Sequence, residues 1–318
     1  MNKQYFQIAF LVLAGLLSVG GLLNSAQALL LGVFIALSFG HSYQKQIAVY
    51  SKKLLAISIV GLGAGVDLQV IYDVGLSGII ITFISITAAL SLGLLLGRLI
   101  KTAGRSNLLI SVGTAICGGS AIAAIAPVIR AKDSEITLCL SIVFLLNAIA
   151  LLIFPFVGNW LELSQLQFGY WAALAIHDTS SVVGAGLQYG EEALNIATTL
   201  KLVRALWIVP VSLFFYGVYA QISTEQAGQG APTQIKFPWF IIGFVIMAFI
   251  FSYLPNIGYA SSVISAGAKK LLILVMYMIG LGFTREAMNG VDYKLLLQAI
   301  LLWGVVSISS LVLIILYI

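Results

Sequence analysis

Long apolar stretches separated by short polar segments follow one another along the whole chain. Most charged side chains lie between these stretches rather than inside them. A membrane-spanning α-helix needs about 20 predominantly apolar residues, and the pattern therefore predicts an all-α polytopic membrane protein with about ten or eleven spans. The hydrophobic runs are 6–23, 27–41, 53–72, 74–97, 107–129, 134–158, 168–189, 193–220, 238–254, 262–283 and 293–317.

The composition narrows the class of protein further. The chain has 318 residues, of which 61% are hydrophobic and 8% are charged. Soluble domains carry roughly 25% charged residues, so a soluble globular domain and a disordered chain are both excluded. The runs and their short loops use the whole length, which predicts a single integral membrane domain over residues 1–318. The one clearly polar connector is predicted near 221–238.

The distribution of basic residues predicts the topology. The formal net charge of +5 comes mainly from bases near the ends of the runs, so it gives no sign of nucleic-acid binding. The loops 41–53 and 98–106 are rich in lysine and arginine, whereas the turn between them near 67–73 has neither. The positive-inside rule therefore predicts both basic loops and the N-terminus in the cytoplasm.

The run 107–129 has two features that disfavour a straight crossing. Arg130 and Lys132 follow it, and a full crossing would place these bases outside. The run is therefore either broken or re-entrant, unless inverted repeats weaken the rule. It also contains the segment 113–120 (GTAICGGS), whose adjacent glycines weaken a helix. A half-helix that begins near Ser120 would offer its N–H groups to an anion, and close helix packing through the same small residues is the alternative.

A second polar segment, 177–181 (HDTSS), interrupts an otherwise apolar run. Consecutive polar side chains at membrane depth are costly unless they face a cavity or the protein interior. Asp178 and His177 are candidates for proton or ion coupling, and the hydroxyls that follow can bind an oxyanion or a cation. A hydrated loop between spans is the alternative. The segment 175–180 (AIHDTS) resembles 115–120 (AICGGS), and transporters often contain duplicated helix breaks.

Two bases lie inside an apolar run and share one helix face, Lys201 and Arg204. Intramembrane bases usually face a partner or an aqueous path, so we expect them to balance Asp178, Glu191, Glu192 or an anionic substrate. A pair at a helix end that reaches the membrane interface is the alternative. Asn147 is either a helper in ion coupling or a cross-link between helices.

The two polar motifs resemble those of the YeiH-like family. The first is AICGGSAIAA at 115–124, followed by APVI at 126–129. The second is AIHDTSSVV at 175–183, with EEA at 191–193 and KLVR at 201–204 behind it. The resemblance runs over essentially the whole chain.

The resemblance implies a bacterial inner-membrane protein of a group labelled sulfate exporters. These proteins are placed in the superfamily of cation/proton antiporters and anion transporters. The resemblance also implies inverted repeats with broken crossing helices, and an elevator-type movement of a core against a scaffold. Homodimers are common among elevator-type relatives, so a second copy of the chain is an expected partner.

The combined prediction is a secondary active transporter of a small anion, either sulfate, another sulfur oxyanion or a small organic anion. The nucleotide motif G-x-x-x-x-G-K-[ST] is absent, so we expect H⁺ or Na⁺ coupling and no cofactor. We expect no enzyme activity, because a His-Asp-x-Ser string has poor geometry for a catalytic triad. The alternatives are a sodium or cation/proton antiporter and a passive anion channel.

The expected site lies near the middle of the membrane, between the two motifs, and no metal is expected. The candidates for proton or ion coupling are Asp178, His177 and Asn147. The expected substrate-binding residues are Thr114, Cys117, Gly118, Gly119, Ser120, His177, Thr179, Ser180, Ser181, Lys201 and Arg204.

Overall fold

The computed structural model describes residues 11, 13–15, 17, 18, 20, 22–39, 43–223, 239–253, 258–282 and 292–318. The polar connector predicted near 221–238 lies mostly outside the described residues, as does half of the first run. Every regular element with described bounds is an α-helix, which confirms the all-α prediction. The helices are α1 Ser25–Phe39, α2 Gln44–Gly63, α3 Leu68–Ile100, α4 Gly104–Ala115, α5 Gly119–Val128, α6 Asp133–Trp160, α7 Gln165–Ala175, α8 Thr179–Tyr189, α9 Glu191–Leu206, α10 Ile208–Ser223, α11 Trp239–Tyr253, α12 Gly258–Leu281 and α13 Tyr293–Tyr317.

Within the described part of the chain, six helical segments are long and apolar enough to cross a membrane. The helices α9 and α10 are nearly continuous and count as one of these segments. The helices α1, α5 and α11 are apolar but shorter. The number of spans that length and composition support is therefore lower than the ten or eleven predicted. The six segments are Gln46–Gly63, Leu68–Ile100, Asp133–Trp160, Glu191–Tyr219, Tyr259–Leu281 and Tyr293–Tyr317.

The helices α4 and α5 form a hairpin, which we call the first hairpin. A Cβ on Gly113 of α4 would lie only 3.0 Å from Cδ1 of Ile122 on α5, so the two arms pack side by side. The Cys139 thiol lies 3.7 Å from the Ser106 carbonyl oxygen. Because α6 begins just after α5, this contact brings the start of α4 and the end of α5 to the same side. The broken run is therefore re-entrant.

The helices α7 and α8 form a second hairpin from the opposite side. Phe168, near the start of α7, stacks on Tyr189, at the end of α8, with ring centroids 3.8 Å apart. A Cβ on Gly158, near the end of α6, would lie 2.7 Å from the Phe168 ring. The open end of this hairpin thus packs against the end of α6, whereas the first hairpin packs against its beginning.

These contacts correct the expectation of broken helices that cross. In each broken run the chain reverses its direction over three residues, and its two helical arms then pack against each other. Two halves of a straight helix could not make these contacts. The correction also removes the conflict in the distribution of basic residues. Arg105 at the start of the first hairpin and Arg130 at its end lie on one side, together with Arg98 at the end of α3. This is the arrangement that the positive-inside rule favours.

A buried polar network fixes the first hairpin to α3 and α13. The Gln298 side chain of α13 donates to the Gly93 carbonyl at 3.1 Å and to the Asn107 side chain at 2.7 Å. Thr102 donates to Gln298 Oε1 at 2.8 Å. Since buried amides without partners are costly, this satisfied network holds the three helices in one arrangement.

The described helices fall into two packed groups. The helices α1, α2, α11 and α12 form one group, and α3 to α10 with α13 form the other. In the first group α1 and α12 approach closely, since a Cβ on Gly32 would lie 2.9 Å from Gly280 Cα. Contacts between the groups run mainly from α1 and α12 to α8 and from α11 to α3. An ion pair of 2.7 Å between Lys269 of α12 and Glu191 of α9 also joins them.

Candidate functional site

The tips of the two hairpins meet beside the middle of α6. A Cβ on Gly118 of the first tip would lie 3.5 Å from the Asp178 backbone of the second, and 3.2 Å from Val143 of α6. Gly118 has φ 62° and ψ −121°, a conformation that strains any residue with a side chain. Glycine therefore allows both the reversal of the chain and the close contact between the tips.

The two tips turn at the same positions of the repeated motif. The arms α4 and α7 end at Ala115 and Ala175, and the arms α5 and α8 begin at Gly119 and Thr179. The similarity between AICGGS and AIHDTS thus corresponds to two equivalent helix breaks. At each break, carbonyl groups of one arm and N–H groups of the next lose their helical partners.

Two buried cations of α9 bind the backbone carbonyls at the C-terminal ends of α4 and α7, the first arms of the two hairpins. Arg204 donates from Nε to the Ala115 carbonyl at 2.7 Å and from Nη1 to the Leu174 carbonyl. Lys201 donates from Nζ to the Ile176 carbonyl at 2.7 Å. Both side chains are 0% exposed. The negative ends of the helix dipoles and the unpaired carbonyls offset the cost of burying these charges.

Of the partners expected for the basic pair, Asp178 interacts electrostatically with Lys201, whereas Glu191 pairs elsewhere. Glu191 forms its ion pair with Lys269 rather than with Lys201 or Arg204. Complete burial also rules out the alternative in which the pair reaches the membrane interface. The hydrogen bonds described for Lys201 and Arg204 go to backbone carbonyls. The pair therefore supplies positive charge to the tips, but within the described residues neither side chain is seen to face a space that a ligand could enter.

The N-terminus of α8 is capped by the side chain of Asp178. Its Oδ2 accepts the backbone N–H of Ser180 at 3.0 Å and that of Ser181 at 3.3 Å. The Ser180 hydroxyl donates to the same oxygen. A carboxylate in this position satisfies unpaired N–H groups and interacts favourably with the positive end of the helix dipole. The second tip therefore carries its own anion.

The N-terminus of α5 has no such anion. Gly118 occupies the position equivalent to Asp178, and no side chain caps this helix. Ser120 in the first turn is exposed, and a Cβ on Gly119 would meet the Phe144 ring of α6 at 3.2 Å. The first tip thus presents uncapped N–H groups, which is the usual form of an anion site at a helix end.

Several buried polar groups at the tips have no hydrogen-bond partner within the described residues. Asn147 of α6 accepts from the backbone N–H groups of His177 and Asp178 at 3.1 and 3.2 Å, but its Nδ2 has no acceptor. Both ring nitrogens of His177 and the hydroxyl of Thr114 are also unpaired. Buried polar groups are almost always hydrogen-bonded, so this cluster marks the tips as a place where a ligand or water would supply the missing partners.

The structure places all the candidate residues at or directly behind the two tips. Cys117 is buried between α4 and α5 in the first tip, and Thr179, Ser180 and Ser181 are buried in the first turn of α8. The residues brought together are Thr114, Cys117, Gly118, Gly119, Ser120, Asn147, His177, Asp178, Thr179, Ser180, Ser181, Lys201 and Arg204.

Sequence reasoning missed the carbonyl acceptors of the site and its wall on α6. Carbonyls of residues such as Ala115 and Ile176 carry no residue-type signal, although the helix breaks themselves imply unpaired carbonyls. Val143 and Phe144 lie in an ordinary apolar run, and their helical spacing from Asn147 was the only indication that they share its surroundings.

Comparison with known proteins places this chain in a family. The chain matches the family model described as Conserved hypothetical protein 698 over residues 5–299. A UPF0324 membrane protein of Bdellovibrio bacteriovorus is 46% identical over 312 residues, which cover 98% of this chain and 95% of the relative. The chain belongs to the UPF0324 membrane protein family.

Other UPF0324 relatives are similar over most of their length. The protein of Bacteroides thetaiotaomicron is 46% identical over 89% of this chain and 84% of its own length. The protein of Vibrio vulnificus is 42% identical over 98% of both chains. No solved structure matches this chain. The names of these UPF0324 proteins state a membrane protein and mention no substrate, so sulfate export stays a prediction.

Proposed function

We propose that this UPF0324 protein is a secondary active transporter of a small anion. The observation that supports it most is the meeting of two re-entrant hairpins beside the middle of α6. At that point the uncapped N-terminus of α5 lies in the same junction as the unpaired amide of Asn147. N–H groups at a helix N-terminus favour negative charge, and transporters often bind substrates at broken helices near the middle of the membrane.

We propose an elevator-type movement for this transporter. The group α3 to α10 with α13 would form the moving core, since it carries both hairpins and the polar network around Gln298. The group α1, α2, α11 and α12 would form the scaffold. The two groups touch through a limited set of helices, which is what a sliding interface requires.

The proposed topology has nine crossings in the bacterial inner membrane. Six are the long apolar segments, and α1 and α11 add two shorter ones. The run 6–23, half of which lies outside the described residues, would add the first. The hairpins do not cross, so this number replaces the ten or eleven spans expected from the runs. The N-terminus and the basic ends of the first hairpin would then face the cytoplasm.

A cation/proton antiporter is a weaker candidate. A cation bound by Asp178 would compete with the three donors that already hold its carboxylate. In the proposed anion site, in contrast, the N–H groups at the N-terminus of α5 have no side-chain hydrogen-bond acceptor. A homodimer is a further part of this proposal and rests on the likeness to elevator-type transporters alone.

Uptake into proteoliposomes tests the proposal. We expect wild-type protein to accumulate a small anion only under an imposed pH or sodium gradient, because coupled transport needs one. Uptake that equilibrates equally without a gradient would indicate a passive channel.

The variant Gly118→Leu tests the position of the site. Its side chain would fill the junction and strain the backbone, so uptake should fall to background. The control is Gly217→Leu on α10, where a Cβ meets nothing within 4 Å. Normal uptake by a well-expressed Gly118→Leu protein would reject the tip site.

A further inference from the structure

We propose that the junction of the hairpin tips accepts one uncompensated negative charge. It would bind a monoanion directly, and it would bind a dianion only together with one proton. The inference rests on the proposed anion transport and deepens it, because it assigns the charge class of the substrate and its coupling to protons.

The charges at the tips support this rule. With both side chains protonated, Lys201 and Arg204 contribute two full positive charges, and the ends of α4 and α7 that they bind contribute about half a negative charge each. The N-termini of α5 and α8 contribute about half a positive charge each, and Asp178 contributes one negative charge. The remainder is about one positive charge, which a monoanion neutralises.

The equivalence of the two tips indicates how the anion would bind. In the second tip one carboxylate oxygen of Asp178 accepts the N–H groups of Ser180 and Ser181. The equivalent N–H groups of the first tip belong to Ser120 and Ala121, and no side-chain hydrogen bond caps them. The Cys117 sulfur lies near the Ala121 N–H, but a thiol is a weak acceptor and carries no negative charge. An oxygen of the bound anion would take the place that a carboxylate takes at α8.

An independent observation also points to a missing acceptor. Asn147 is 3% exposed and His177 is 1% exposed, yet Asn147 Nδ2 and both ring nitrogens of His177 have no partner within the described chain. Asn147 lies at the junction itself, because its Oδ1 accepts from the Asp178 backbone 3.2 Å away. An anion at the tips would give Nδ2 the acceptor that it lacks.

Asp178 is the group that would take the proton. It is the only carboxyl that the described residues place at the tips, since Glu191 pairs with Lys269 at the far end of α8. Protonation removes its negative charge, so the junction could then hold a second negative charge on the ligand. Among the elements packed around it, α6 presents Asn147, and α12 presents Lys269 only at that far end. The titratable or charged groups around Asp178 are Cys117 of the first tip, the adjacent His177, and Lys201 and Arg204 of α9.

Sulfate and methanesulfonate form a matched pair of probes, because they share a tetrahedral shape and differ by one charge. Binding to the purified full-length protein in detergent would be measured calorimetrically at pH 6 and pH 8, in buffers with different heats of ionisation. We expect sulfate binding to take up one proton and to weaken by up to about tenfold per pH unit as pH rises. Methanesulfonate binding should take up none.

The variant Asp178→Asn separates the carboxyl from other proton acceptors. Without the negative charge the junction should bind sulfate with no proton uptake and with similar affinity at both pH values. The control is Asp67→Asn, which makes the same chemical change at another helix N-terminus. Asp67 caps α3 by accepting the Gln69 N–H at 2.8 Å and is exposed. This variant should retain the proton uptake of the wild type.

The outcomes distinguish this inference from the transport proposal. Sulfate binding by the wild type without proton uptake would overturn the charge rule and leave anion transport intact. Proton uptake that persists in Asp178→Asn would also overturn it, because another group would then carry the proton. If neither anion binds and neither is taken up by proteoliposomes, the transport proposal fails together with the charge rule.

Discussion

At the scale of single residues, the basic pair of α9 has a definite structural task. Arg204 joins the carbonyl ends of both hairpins, because its Nε bonds to Ala115 and its Nη1 to Leu174. Lys201 adds bonds to the end of α7. A substrate ligand would need free donors, whereas these cations are already used to balance helix ends.

The first prediction concerns the stability that Arg204 provides. Arg204→Gln would leave several buried carbonyls without partners and remove a charge that faces two negative helix ends. We expect the free energy of unfolding to fall by about 3–5 kcal/mol, which is typical when one partner of a buried charged interaction is removed. Thermal unfolding of the purified protein in detergent measures this change.

A matched control for this substitution lies on the first hairpin. Arg105 is exposed at the start of α4, so Arg105→Gln should leave the melting temperature nearly unchanged. If Arg204→Gln unfolds at the wild-type temperature but loses anion affinity, Arg204 is a ligand-binding residue rather than a structural cap.

At the scale of elements, the helix breaks are turning points rather than kinks. Each break leaves two arms that pack against each other, as Gly113 does against Ile122 and Phe168 against Tyr189. Both hairpins use α6 as a common wall, and they approach its middle from opposite ends. The inverted relation between the hairpins therefore arises from two similar motifs on either side of one long helix.

The second prediction follows from the re-entrant geometry. Single cysteines at Ala103 and Ala131, which flank the first hairpin, should react with a membrane-impermeant thiol reagent from the same side of the membrane. Single cysteines at Glu162 and Glu192, which flank the second hairpin, should both react from the other side. Labelling of intact and permeabilised cells measures this accessibility, with Cys117 and Cys139 as buried native thiols. Labelling of either pair from opposite sides would mean that the broken helices cross.

At the scale of the whole molecule, the division into two helix groups matters most. The groups are each closely packed, and the Lys269–Glu191 ion pair is one of the few described polar contacts between them. If the core moves against the scaffold during transport, this pair must separate. A mobile interface with few polar contacts lowers the cost of that movement.

The third prediction tests the movement. Cysteines at positions 269 and 191, joined by a short bifunctional thiol reagent, should stop transport, because the link fixes the scaffold to the core. Substrate binding should persist, because both residues lie away from the tips. Uptake measured before and after linking gives the result.

The control links two positions within the core. Gln165 Oε1 accepts the Glu192 N–H at 3.0 Å, so cysteines at these two exposed positions can be joined without crossing the interface. This link should leave transport unchanged. Full transport by the linked 269–191 protein would contradict an elevator movement.

The sequence by itself determined the class of the protein and singled out the segments that form the proposed site. A run of apolar residues can satisfy its backbone hydrogen bonds in a membrane only as a helix, so the all-α architecture follows from local composition. The polar segments 113–120 and 177–181 were recognisable for the same reason, since polar groups at membrane depth are costly without a function or a partner.

Only the tertiary structure decided how those segments fold and what they contact. A hydropathy profile does not record the direction of the chain, so an apolar run that crosses the membrane and one that turns back look alike. The hairpins are visible only through tertiary contacts such as that of Cys139 with Ser106. Likewise, the spacing of Lys201 and Arg204 showed a shared helix face but not what that face meets. Their partners are backbone carbonyls far away in sequence. No residue type indicates that a carbonyl has lost its helical hydrogen bond.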